Sequence, residues 1–127
     1  MILDKKMKRI LLVDDSATML MSLKSALEIN GFQVKTAADG AIALGMLKQG
    51  IKPDLIITDI NMPNMNGLEL IQQARGLLRF TPILALTTES QQSKRDEAKK
   101  LGASGWLVKP VGAADLIAVI KKLVPGA

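Results

Sequence analysis

Five short strand-like runs divide this chain, and each is followed by a stretch of helix length. Residues 10–13, 33–37, 55–58, 83–86 and 106–108 have the length and content of strands. Most of the stretches after them carry apolar residues at helical spacing. Ser16 can cap a first helix reaching about Asn30, with Leu20, Leu23 and Leu27 on one face and Asn30 and Gly31 as the stop. Asp39 and Gly40 turn the chain into a second helix, which carries Ile42, Leu44, Met46 and Leu47 and ends by Gly50. A third helix, about 67–75, points Leu68, Ile71 and Ala74 inward. A fourth, about 90–101, has only Ala98 and Leu101 as apolar anchors, so little of it can be buried. The last, about 113–123, has Leu116, Ile117, Ile120 and Leu123 on its inner face. Parallel strands need a long crossover between them, so this alternation predicts an α/β fold: a doubly wound, five-stranded parallel sheet with five helices. Right-handed crossovers put helices on both faces.

Leu55, Ile56 and Ile57 suit a strand buried on both faces, and the run ends in Asp59. Asn61, Pro63, Asn64, Asn66 and Gly67 follow, a dense cluster of turn formers. An acid at the carboxyl end of a central strand stands where open α/β sheets bind ligands. Taken alone, Asp59 could equally cap the next helix. The carboxyl ends of all parallel strands share one edge, however, and that edge gathers Asp14, Asp15, Asp59, Thr87 and Lys109. Three close carboxylates are costly without a cation. Lys109 supplies one positive charge, and a divalent ion suited to oxygen ligands, Mg2+, would supply the rest. Asp59 keeps an oxygen able to attack phosphorus. Lys109 and the metal would stabilise the transferring phosphoryl group, and the Thr87 hydroxyl would donate to it.

At 127 residues and 48% apolar content the chain is one domain with a true core. It contains neither cysteine nor histidine, which removes disulfides, thiol nucleophiles and the commonest general base. The run at 10–13 is too short for a secretory signal, and no run approaches a membrane span. A cytoplasmic protein with no membrane partner is expected. The net charge of +5 comes from scattered basic residues, and aromatics to stack bases are almost absent, so no nucleic-acid partner is expected.

Four stretches carry a family resemblance: VDDS at 13–16, PDLIITDINMPNMNG at 53–67, LTTES at 86–90 and GASGWLVKP at 102–110. In order and spacing they resemble the receiver domain of bacterial two-component response regulators. The resemblance implies a flavodoxin-like fold of strand order 2-1-3-4-5. It implies a single receiver domain over 1–127, with no output domain. Asp59 would be the phosphoacceptor. Asp14, Asp15 and Asp59 would hold Mg2+ together with the backbone carbonyl of Asn61. Thr87 would be the switch hydroxyl, drawn inward by the phosphoryl group, and Lys109 the phosphate-contacting lysine, followed by a cis bond to Pro110. Asn61 and Glu89 resemble the pair that tunes self-dephosphorylation in quickly resetting regulators.

The LTTES, GASGW and KP spellings resemble stand-alone chemotaxis regulators of the CheY type. The implied role is a phosphorylation-activated switch, not an enzyme. It would accept its phosphoryl group from a histidine kinase of the CheA type. As a monomer it would signal to a flagellar motor switch protein through the face made by helix four, strand five and helix five. A phosphate sink or phosphorelay shuttle in another pathway is the alternative. Two residues depart from the family pattern: Trp106 replaces the usual Tyr or Phe of the switch, and Val111 stands where Phe is common. A haloacid dehalogenase-type phosphohydrolase would need an acid where Asn61 stands. A flavodoxin-like cofactor binder would need a phosphate loop where Asp14 and Asp15 stand.

Overall fold

The computed structural model describes residues 7–88 and 92–127. Strands and helices alternate throughout: β1 (Arg9–Val13), α1 (Ala17–Ile29), β2 (Gln33–Ala37), α2 (Gly40–Lys48), β3 (Leu55–Thr58), α3 (Gly67–Leu77), β4 (Ile83–Thr87), α4 (Gln92–Leu101), β5 (Gly105–Val108) and α5 (Ala113–Leu123). The strands form one parallel sheet of order β2-β1-β3-β4-β5, the order that the resemblance implied. The expected start of the fourth helix at Ser90 lies outside the described residues; α4 is seen from Gln92.

Strand alternation divides the core into two layers. Leu11, Val13, Ile56, Ile83 and Ala85 face α2, α3 and α4, where they meet Ala43, Leu47, Leu70, Ile71 and Ala98. Ile10, Leu12, Leu55, Ile57, Leu84 and Leu86 face α1 and α5, where they meet Leu23, Leu27, Leu116 and Ile120. β3 and β4 are buried along their whole length, as strands covered on both faces must be. Each large side chain so buried contributes about 1.5–3 kcal/mol. In α2 the inward side chains are Ala43, Leu44 and Leu47, while Ile42, one of its expected apolar residues, is 49% exposed. The helix leaves its cap at Asp39 with position 42 on the solvent side.

Side-chain caps start α1, α2 and α3 at the carboxyl edge of the sheet. The Ser16 hydroxyl accepts from the Met19 amide at 3.2 Å, and Asp39 accepts from the Ile42 amide at 2.8 Å. Asn66 and Glu69 form a reciprocal capping box at the start of α3, so Asp59 is not the cap of that helix. Asn66→Ala should lower unfolding free energy by about 1 kcal/mol. Urea titration checks this; a change in midpoint with an unchanged slope is expected.

Candidate functional site

Register places the first polar residues beyond the core side by side. Val13 of β1 pairs with Thr58 of β3, so Asp14 and Asp59 follow at one level. Their backbones continue the ladder: the Asp14 amide donates to Ala37 O at 3.1 Å, and the Asp59 amide to Val13 O at 2.9 Å. Thr87 pairs with Val108, and the next amide, that of Lys109, donates to Thr87 O at 2.6 Å. The Lys109–Pro110 bond is cis.

Three carboxylates converge here. Asp14, Asp15 and Asp59 each offer an oxygen within 4.8 Å of the others. Lys109 Nζ lies 2.8 Å from Asp14 Oδ2 and 3.4 Å from Asp59 Oδ2. It is the only ion-pairing cation among the described residues, so the cluster keeps an excess of negative charge. Asp14 is buried and Asp15 exposed, and the Asp59 side chain is 12% exposed. The second oxygen of Asp14 accepts from the Ser16 amide at 2.9 Å, and that of Asp59 from the Ile60 amide at 2.7 Å. Burial pushes the Asp59 carboxyl above its ordinary value; Lys109 opposes this and the Asp14 charge adds to it. Burial pulls the Lys109 ammonium down, but its bond to Asp14 and the charge of Asp59 outweigh that and hold it above its usual range. The donors are all hard oxygens with net negative charge and one open side, and they fit a divalent cation such as Mg2+.

The loop between β3 and α3 is folded tightly onto the acid. The Gly67 amide donates to Ile60 O at 2.8 Å, and a methyl group at Gly67 would overlap the carbonyl oxygen of Asp59. Only glycine permits that approach. Asn64 takes a left-handed φ of 66°, and its amide donates to Asp39 at 2.9 Å. Met65 O accepts from the Gly40 amide at 3.2 Å. The α2 cap and the acidic loop thus form one hydrogen-bonded unit.

The structure therefore gathers Asp14, Asp15, Asp59 and Lys109 directly, and places Thr87, fully buried, at the end of β4. Asn61 is exposed in the β3–α3 loop, and Glu89 lies outside the described residues. Trp106 is level with Ala85 on edge strand β5, partly buried against the α2–α3–α4 layer. Sequence reasoning missed the Asn64–Asp39 tie, which the turn-former cluster signals without naming a partner. It also missed Arg75, counted only as the end of a helix. Arg75 donates to four backbone carbonyls.

Residues 10–121 match the response regulator receiver domain family, and the chain belongs to it. It is 41% identical over 125 residues to the chemotaxis protein CheY-3 of Vibrio cholerae, covering 96% of this chain and 95% of that protein. It is 38% identical over 116 residues to the transcriptional regulatory protein PrrA of Mycobacterium tuberculosis, covering 91% of this chain and 49% of PrrA. The chain thus spans about half the length of such transcriptional regulators. The structure of CheY4 from Vibrio cholerae superposes with a TM-score of 0.89 at 40% identity, over 94% of this chain and 100% of that one. TrrA of Thermotoga maritima, solved with magnesium and beryllofluoride, superposes with a TM-score of 0.84 at 35% identity, over 93% and 100%. No helix among the described residues is long and apolar enough to cross a membrane.

The raised Asp59 has a consequence for the metal-free protein. A carboxyl whose folded value exceeds its unfolded value favours folding most when protonated, and that contribution is lost as pH rises through the folded value. Asp59→Asn should therefore melt higher than the parent at pH 7 in chelator. The gain should shrink as pH falls through the carboxylate range. Calorimetry across that range checks both the sign and the trend.

Proposed function

We propose that the chain is a phosphorylation-activated signalling switch whose Asp59 takes a phosphoryl group from the phosphohistidine of a histidine kinase. One observation carries this: the Asp59 carboxylate is pinned by the Ile60 amide on one oxygen, with Lys109 Nζ 3.4 Å from the other. An Asp59 oxygen attacks phosphorus; the P–O bond forms as the P–N bond to the kinase imidazole breaks, and that nitrogen keeps the electron pair. Lys109 then has two partners, Asp14 and the new phosphoryl oxygens, so it holds the anion at a fixed place. Asp14, Asp15, Asp59 and the Asn61 carbonyl would hold Mg2+, which supplies charge neutralisation when bound. Reset is attack of water on the phosphoryl group, which regenerates the carboxylate and releases phosphate. Asn61 and Glu89, two residues beyond Asp59 and Thr87 in the sequence, resemble the pair that tunes this reset in quickly resetting regulators. The chain has no histidine, so it cannot itself be a phosphohistidine donor.

The match to a chemotaxis protein over 96% of this chain supports a cytoplasmic, monomeric receiver serving chemotaxis, with a CheA-type kinase upstream and a flagellar motor switch protein downstream. The partner face is made by α4, β5 and α5. α4 buries only Ala98 among its described side chains, so it can shift at low cost. A cleft of about 480 Å³ between α4 and β5 is lined by Arg95, Ala98, Lys99 and Trp106. Thr87 is fully buried at the end of β4, and phosphate at Asp59 draws its hydroxyl inward, toward the phosphoryl group. Near-complete switching needs roughly 3–5 kcal/mol of differential contact.

Incubation with acetyl phosphate or a phosphorylated histidine kinase should label the protein on Asp59, and only with Mg2+ present. Labelling that persists in Asp59→Asn, or proceeds unchanged in chelator, would rule out the assignment. In the same decay trace, Asn61→Arg should lengthen the phosphoryl lifetime several-fold.

Trp106 is the sole tryptophan. Its fluorescence should change on adding beryllofluoride with Mg2+, and the change should be lost in Thr87→Ala. An unaltered spectrum at full loading would remove Trp106 from the switch.

A further inference from the structure

The two ends of α4 are held very differently. At residues 92–97 the described side chains are exposed or half-exposed, and Gln92 Nε2 donates within the helix to Asp96 at 2.8 Å. At the other end the helix closes on Gly102, whose φ of +119° requires glycine. Gly102 N donates to Ala98 O and Lys99 O at 3.1 Å, and Ala103 N to Ala98 O at 2.9 Å. Ser104 is then stitched to the start of β4: its amide donates to Ile83 O at 2.7 Å, and its hydroxyl accepts from Ile83 N at 3.1 Å.

Arg75 completes this end from another element. Nη2 donates to Gly102 O at 2.6 Å, while Nη1 donates to Leu78 O at 3.0 Å, Arg79 O at 3.1 Å and Thr81 O at 2.7 Å. No carboxylate pairs with it among the described residues; carbonyl dipoles alone satisfy the charge. Burial lowers its affinity for the proton, as expected of a cation held by neutral partners. A methyl group at Gly102 would stand 2.8 Å from Arg75 Nε and 3.0 Å from Cγ, so the glycine also makes room for the arginine. One planar guanidinium thus ties the carboxyl end of α3, the loop into β4 and the turn from α4 into β5. A lysine ammonium donates from a single point and cannot span that arrangement.

We propose that Arg75 is a positioning residue for the switch: it fixes the carboxyl end of α4 as a pivot, so that loading Asp59 moves only the half of the helix nearer Thr87. This rests on the switch reading above, and adds where the movement stops and which residue stops it. The partner face is then remodelled at its 92–97 end, while the 99–104 end keeps its place against β4 and β5.

Amide hydrogen exchange with and without Mg2+ and beryllofluoride tests the pivot. In the parent protein, loading should change exchange in the Asp59 loop and at 92–97 and leave 99–104 protected. In Arg75→Gln, exchange at 99–104 should quicken at least tenfold, and the loading change should spread through the whole helix. Gly102→Ala, which crowds the same guanidinium, should do likewise, and Arg75→Lys should fail to restore the boundary. Ile71→Val, a core truncation in α3, should lower stability yet leave the boundary where it is. The pivot is overturned if 99–104 stays protected in Arg75→Gln, or if loading changes all of α4 evenly in the parent. If loading alters no amide at all, the Asp59 loop included, the switch reading fails and takes the pivot with it.

Discussion

β3 and β4 have no solvent-facing side, and the inner half of β1 is likewise closed over. A charge within those strands would be buried without water. The first places where charge is tolerable are the strand ends, and parallel direction puts all of those on one edge. Register does the rest. With Val13 beside Thr58 and Thr87 beside Val108, Asp14, Asp59 and Lys109 cannot avoid one another. The attraction of one ammonium for two carboxylates, 2.8 and 3.4 Å away, offsets part of a repulsion that the fold imposes. What remains is an excess of negative charge, open on the Asp15 side, of the kind a divalent cation would neutralise.

That site is rigid because of its neighbours. The β3–α3 loop presses Gly67 onto the Asp59 backbone, and Asn64 and Met65 fasten the same loop to the start of α2. Asp59 is consequently held from three directions: its amide in the ladder, its carboxylate on Ile60, and its carbonyl under Gly67. A carboxylate fixed this firmly would pass a change of its charge to its surroundings without first relaxing itself. The surroundings nearest to yielding are in α4, whose described amino-terminal turns bury no side chain. The tightly held Asp59 thus contrasts with the amino-terminal half of α4, whose described side chains are not buried.

The elements were legible because their signals are local. Runs such as Leu55 to Thr58, the caps Ser16 and Asp39, and the stop at Gly31 each act within a few residues of themselves. The bounds of β2, β3 and α5 came out as read, while α3 ran two residues beyond Arg75, to Leu77. The inward side of α2 was not legible, because a short helix with apolar residues on several sides, Ile42 among them, does not state which side is inward. The site residues were legible for a different reason: polar groups at the ends of apolar runs are conspicuous, and parallel topology brings such ends together.

By itself the sequence determined an alternating chain, hence a parallel sheet with helices on both faces, and an edge carrying three acids and a lysine. The strand order came through family resemblance, since alternation permits several orders. Only the tertiary structure decided that Lys109 lies closer to Asp14 than to Asp59, that Gly67 must be glycine, and that Asn64 answers to Asp39. It alone decided that Arg75 binds carbonyls from three segments instead of solvent. The reason is common to all of these. Each depends on atoms far apart in the chain, and their distances follow from packing and register, which no local pattern of residues encodes.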